Sequence, residues 1–453
     1  MKHTAWFLLL ALACAPGLSA QNQSEEEFFG STGVEAAPGT AEKKNLQEEV
    51  EKPGVGLSGN LFATASYTMS RDFVLGNAGS ADNTLANVVT GDFLVDARLT
   101  RGFRAFLDLG LGYASAGTPL VHNFTVVSPP AVPGPLVLVE NQNMLFGMKE
   151  IFVDFNFGNV ARFRLGQQVL QWGVGNFWQP TDLINIEHKS FLNLDALLQG
   201  VFGLRADFIF SHAFRIYTFL NLNNIADLSK AAFAARAEFL AGVVEFGVAG
   251  WLKYQQIPVF GVDLSTPLFW DLNLTGEASF SWGDNGQKLD TSGVPYSVRD
   301  QLVAKVDVGL SRSFDAGNVL DRINVIAEFF YNQTGYSQNM FQQLSGIPLA
   351  TFVGSYYHAG YYGQYYGALF VTVNKFPASN MTLSLSGLAN VSDLSGIAMA
   401  MLSYAPVNNF TLSLQLGAYL GAGTGEYTIS YNPATNTLGN NALFAILGAK
   451  VVF

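Results

Sequence analysis

Cysteine is almost missing from this chain: Cys14 is the only one. That excludes a disulfide framework and a thiolate metal site. Charge is scarce too. Charged residues make up 13% of the chain, about half the share usual in a soluble domain. The histidines, His3, His122, His188, His212 and His358, show no metal-ligand spacing. No metal or cofactor is therefore expected. Clusters of Lys and Arg are lacking and the formal net charge is −11, which argues against a nucleic-acid partner. Beyond residue 20 no apolar run reaches about eighteen residues, so helical membrane spans are excluded. There is no Gly-x-Ser-x-Gly elbow. The glycines Gly421, Gly423 and Gly425 lack the following helix that phosphate cradling needs. Nothing here points to an enzyme.

The first residues read as processing. Lys2 and His3 form a short basic region, and Trp6–Ala13 is apolar but too short to span a bilayer. Residues 1–20 are expected to be a cleavable export signal, cut after Ala20. Loss of Lys2 then takes the net charge from −11 to −12. A lipidated N-terminus at Cys14 is the alternative, because Ala11, Leu12, Ala13 and Cys14 loosely match a lipobox. Residues 21–53 differ from the rest. Glu25, Glu26, Glu27, Glu42, Glu48, Glu49 and Glu51 crowd a stretch with few large apolar residues, ended by Pro53. Such composition reads as an acidic, disordered periplasmic leader; a plug would need more apolar content.

From residue 54 onward the pattern is alternation. In Gly91–Arg101, Phe93, Val95, Ala97 and Leu99 share one face, and Asp92, Asp96 and Arg98 the other. Arg104 and Asp108 oppose Phe103, Ala105 and Leu107. Asp154 opposes Ile151, Val153 and Phe155. The series continues with Arg162 and Arg164, Arg205 and Asp207, and Arg236 and Glu238. Charges set every second residue are expensive against lipid, so they must face inward. About ten inward bases stand against about thirteen inward acids, which implies no strong ion selectivity. Later strands alternate mildly, as Thr382, Ser384 and Ser386 do against Leu383 and Leu385. One side of the lumen is thus charged and the other nearly neutral. Glycine (46) and phenylalanine (37) are abundant, as expected where the outward band is apolar.

Short and long connections alternate. Tight ones fall near Thr100–Gly102, Gly158–Asn159, Ser211–Ala213, Ala241–Gly242, Ser265–Leu268, Asp315–Asn318, Phe376–Ser379 and Ala405–Asn408. With one further strand at each end they give about eighteen strands, or about sixteen if the short outer connections Tyr254–Gln256 and Val391–Leu394 mislead. The fold class is therefore all-β, a transmembrane antiparallel up-and-down barrel over residues 54–453. The last strand ends on the aromatic Phe453, with Val451 and Phe453 outward and Lys450 inward, as in bacterial outer-membrane barrels. Phe453 is expected to serve assembly through the barrel-assembly machinery, and the strand begun near Val55 to be its partner. Tyr67, Tyr113, Trp251, Tyr254, Trp270, Trp282, Tyr331, Tyr404 and Tyr419 read as an interfacial girdle against outer-membrane lipids.

One stretch breaks the pattern. It runs from Arg162 through Arg164, Gly166, Gln168, Trp172, Gly173, Gly175, Pro180 and Asp182 to Asn185. Arginine, glycine and glutamine at a strand end, then Trp-Gly, then Pro-x-Asp with a nearby Asn, resembles a pattern in porin-like outer-membrane barrels, including the alginate-export-like families. The resemblance covers some twenty residues and implies a barrel of that class, not a substrate. Gly173 and Gly175 permit a sharp bend, and Thr181 or Asp182 can cap a short helix from Leu183. Two readings stay open. The loop 172–200 folds into the pore, with Asp182, Asn185, Glu187 and His188 at a constriction, or Trp172, Gly173 and Pro180 only anchor a loop to the wall.

The expected function is a porin in the bacterial outer membrane, passing small solutes through a polar lumen. The alternatives are a transporter of hydrophobic compounds, similar to the fatty-acid transporter barrels, and a surface adhesin or structural barrel.

Overall fold

A computed structural model describes residues 54–75, 83–100, 102–124, 136–157, 160–184, 200–223, 230–343, 349–432 and 437–453. The expected signal and leader, residues 1–53, lie outside them.

The chain forms β1 (Gly54–Ser70), β2 (Thr84–Thr100), β3 (Phe103–Phe124), β4 (Leu136–Phe157), β5 (Ala161–Gln168) and β6 (Val201–Ser211). It continues with β7 (Phe214–Asn221), β8 (Ala232–Ala241), β9 (Val244–Lys253), β10 (Val259–Pro267), β11 (Leu272–Leu289) and β12 (Pro295–Ala316). The remaining strands are β13 (Val319–Asn332), β14 (Tyr365–Asn374), β15 (Met381–Asn390), β16 (Ser395–Val407), β17 (Phe410–Leu420), β18 (Ile429–Asn432) and β19 (Thr437–Val452). Each strand pairs antiparallel with its neighbour, and β1 pairs with both β2 and β19, which closes the sheet. β18 pairs only with the start of β19, so the closed barrel has 18 strands. Closure leaves none of these 18 strands with an unpaired edge, the condition for β-structure in lipid. No helix among the described residues is long and apolar enough to cross a membrane.

Alternation decides which side each residue faces. On β4, Ile151, Val153 and Phe157 are exposed on the outside while Asp154 is buried inside. On β19, Leu443, Leu447 and Val451 are exposed while Phe444 and Ile446 are buried; Lys450 shares their inward parity. A slip of one residue would put the charges in lipid, so the pattern itself fixes the register.

The seam lies where the chain's last strand meets its first. Lys450 pairs with Phe62 and Ala449 with Ala63. Phe453 N donates to Gly59 O at 3.0 Å, and Gly59 N donates to Phe453 O at 2.8 Å. A side chain at Gly59 would meet the Phe453 ring at 2.8 Å, so glycine makes room for the terminal aromatic.

Most turns fall where the sequence puts them; Gly158–Asn159 lies outside the described residues, and the β16–β17 reversal follows Val407 rather than spanning Ala405–Asn408. The β10–β11 reversal is not at Ser265–Leu268. β10 runs to Pro267, and a 3-10 turn at Phe269–Asp271 reverses the chain, with Trp270 and Asp271 at φ 60° and 55°.

Connections between strands make a core of their own. Tyr336, Met340, Phe352, Tyr357 and Tyr362 pack together with Leu289 of β11. The short helices Met340–Gln343 and Leu349–Ser355 supply part of this cluster.

Candidate functional site: a loop seated inside the barrel

β5 ends in close contact with both neighbours. Gly166, at φ 139°, stands where a Cβ would lie 2.2 Å from Ile151 O. Gln168 is fully buried and donates to Gly203 O of β6 at 3.3 Å. Val169 N donates to Glu150 Oε1 at 2.7 Å, which ends the ladder.

The chain then enters the barrel. Leu170, Trp172, Leu183 and Ile184 pack against Val201, Phe219, Ala232, Ala234, Ala249, Trp251 and Val259, the inner faces of β6 to β10. Trp251 was expected in the outer girdle. Its parity puts it inside, and Tyr419 is likewise inward, against Phe444 at 5.4 Å. Tyr113, Tyr254, Trp270 and Trp282 are exposed on the outside, as a girdle requires.

The tip of the loop is held by two carboxylates of the inner wall. Glu277 of β11 accepts from Val174 N, from Gly175 N at 2.5 Å, from Thr181 N at 3.1 Å and from Thr181 Oγ1 at 2.6 Å. Glu328 of β13 accepts from Asn176 N at 2.5 Å, Asn176 Nδ2 at 2.7 Å and Phe177 N at 2.7 Å. A run of backbone N–H groups turned toward carboxylates is the strong, charge-assisted form of hydrogen bond. Gly173 and Gly175 allow it. At Gly173, φ 109°, a Cβ would lie 2.7 Å from Glu277 Oε1.

Trp178, 2% exposed, completes the seat. Its ring stacks on Phe330 at 5.6 Å with planes 6° apart, and touches Tyr366 at 5.6 Å. Its Nε1 donates to Gly360 O at 3.0 Å. Burial pushes the Tyr361 phenol, packed on Phe330, well up from its ordinary range.

Of the residues expected at a constriction, Asp182 is buried and braces the loop itself: its Oδ1 accepts from Trp172 N at 3.2 Å. Pro180 and Trp172 are buried as well. Asn185, Glu187 and His188, and the helix expected from Leu183, fall at or beyond the edge of the described residues. Glu277, Glu328 and Trp178 were not singled out from the sequence as holding the loop. Glu277 lies 103 positions from Val174 and Glu328 lies 152 from Asn176, so no local spacing could reveal the contact.

The charged ladder faces inward and pairs along and across strands. Asp96 pairs with Arg98 at 3.2 Å and Arg104 at 2.7 Å. Asp154 pairs with Arg164 at 2.7 Å and lies 3.7 Å from Arg104. Lys149 pairs with Asp92, and Arg205 with Asp207 at 2.9 Å. Arg236 pairs with Asp263 at 2.7 Å and lies 3.9 Å from Glu238. Arg162 stands opposite Asp207 in the β5–β6 register, and Asp108 opposite Glu150 in β3–β4. No group of His, Cys, Asp or Glu among the described residues is arranged to hold a metal ion.

No protein-family model matches the chain, and no curated protein matches it. Solved structures do. A BenF-like porin from Pseudomonas fluorescens Pf-5 aligns with a TM-score of 0.50 at 9% identity, over 88% of this chain and 99% of that one. OccK8 (OprE) of Pseudomonas aeruginosa gives 0.49 at 8% identity, over 88% and 98%. OprB of Pseudomonas putida gives 0.47 at 10%, over 90% and 96%. The likeness to the BenF-like porin is one of fold.

Proposed function

We propose that the protein is a porin of the bacterial outer membrane, through which small solutes diffuse passively past a loop seated in the lumen. One observation carries this reading. Residues 169–184 leave β5 and are bonded to inward-facing Glu277 and Glu328, six and eight strands further round the wall. A loop so fixed narrows a barrel that would otherwise leave an aqueous channel. The apolar outer band and the inward charges fit a lipid surround and a wet interior. The BenF-like porin, a neighbour by fold, agrees with it.

Planar-bilayer recording of the full chain tests the reading. Discrete ohmic steps are expected, and deleting Val174–Gln179 should at least double their size. A folded barrel that gives no steps would overturn the pore. Steps unchanged by the deletion would overturn the constriction.

A second reading has its own observation. Ile397, Met399, Phe444 and Ile446 form an apolar cluster on the inner wall of β16 and β19. It favours a transporter of hydrophobic compounds. Saturable binding of a long-chain fatty acid, without ohmic steps, would select that reading.

A further inference from the structure

Gly360 joins three loops at one residue. Its carbonyl accepts from Trp178 Nε1 of the lumen loop at 3.0 Å. Its N–H donates to Glu426 Oε1 at 2.7 Å. Glu426 belongs to the connection after β17, and Gly360 to the connection before β14. Glu426 is buried. Its other oxygen accepts from Tyr366 Oη at 2.8 Å and Asn390 Nδ2 at 2.8 Å. Its own N–H donates to Asp393 Oδ2 at 2.6 Å. A second link ties the same connections, Asn339 Nδ2 to Thr424 O at 2.9 Å.

We propose that Glu426 is a positioning residue for the lumen loop, holding Trp178 through Gly360, and that its protonation sets how firmly the loop is seated. The inference rests on the constriction reading above.

The sign follows from what surrounds the carboxyl. The titratable groups facing it are Asp393 from the β15–β16 turn, Tyr357 and Tyr362 from the connection before β14, Tyr366 from β14, and Tyr427 beside it. None is basic. Burial raises the Glu426 carboxyl to about 7, with Asp393 adding to the rise and the bonds from Gly360, Tyr366 and Asn390 opposing it. With the loops undocked it would titrate near its ordinary value, about 4.3. The seated form therefore binds the proton more tightly. The seat has its full stability in acid and loses part of it as pH rises through about 7.

Single-channel conductance of the full chain, recorded from about pH 5 to about pH 8, reads this directly. The expected result is a severalfold larger unit conductance at the alkaline end. Glu426→Gln should be flat with pH and acid-like. Trp178→Phe, which keeps the ring but removes the bond to Gly360, should lose most of the pH response even where Glu426→Gln fails to fold. A wild-type pH profile in either folded variant overturns the inference, as does a wild type that shows no profile. The Val174–Gln179 deletion separates the two readings. If the deletion enlarges conductance while the pH result is negative, only the role of Glu426 falls. If the deletion changes nothing, the constriction falls and this inference with it.

Discussion

Arg164 is the most enclosed guanidinium among the ion pairs of the inner wall, with 6% of its side chain exposed. It bonds both oxygens of Asp154, at 2.7 and 3.2 Å, and lies 3.8 Å over the Phe152 ring. A fork on a carboxylate and a flat face on an aromatic are both beyond lysine. Replacing it with alanine would leave Asp154 with Arg104 alone, at 3.7 Å. Arg164→Ala should destabilise the barrel by about 3 kcal/mol, the usual cost of stripping one partner from a buried pair. The urea midpoint for loss of the folded barrel's gel mobility measures it, and Arg164→Lys should recover only part. This residue was legible in the sequence, because an inward charge declares itself by parity within one strand. Glu328 carries the same parity signal, yet its task was hidden. Parity says that a carboxylate faces inward, not which distant loop will come to meet it.

Among the elements, β5 shows how little room the wall leaves. Its eight residues lie against β4 and β6, and at Gly166 the β4 backbone comes very close. A methyl group there would sit 2.2 Å from Ile151 O and 2.6 Å from Phe152 Cα, backbone atoms that cannot step aside. Gly166→Ala should therefore lower the yield of folded barrel sharply, whereas Gly242→Ala, at a turn with open space around its Cβ position, should be tolerated far better despite its positive φ. Comparing heat-modifiable mobility of the two variants checks this. The tight turns were legible because alternation stops and restarts around them. The outer connections were less so. Ser115–Gln142 reads as one long loop, yet β3 and β4 stay paired out to Phe124 and Leu136 beyond a register shift. Leu136, Val137, Leu138 and Val139 are apolar in succession, so no period-2 pattern marks that part of the strand.

For the whole molecule, closure depends on one seam. Phe453 pairs both its backbone groups with Gly59, and its ring occupies the space over that glycine. Deleting Phe453 removes two hydrogen bonds and the last outward ring of the strand. The expected outcome is a fall in folded, membrane-inserted barrel, with unchanged unit conductance in the molecules that do assemble. Quantifying inserted protein beside single-channel recording distinguishes assembly from transport. The closed architecture followed from a period-2 pattern repeated many times. The interior filling did not. It is built from contacts such as Trp178 with Phe330 and Gly360 with Glu426, which join loops that no periodicity connects.

The lumen loop also bears on how the cylinder deforms. A ring of strands is stiff along its hydrogen bonds but can be squeezed toward an ellipse with little change in any one of them. The segment from Gln168 to Trp178 spans from β5 to β13 and is fastened at both ends. It acts as a tie-rod. Flattening that draws β5 and β13 apart should strain these bonds more than flattening along the other axis. Lateral pressure from the bilayer should then distort this barrel in one preferred direction.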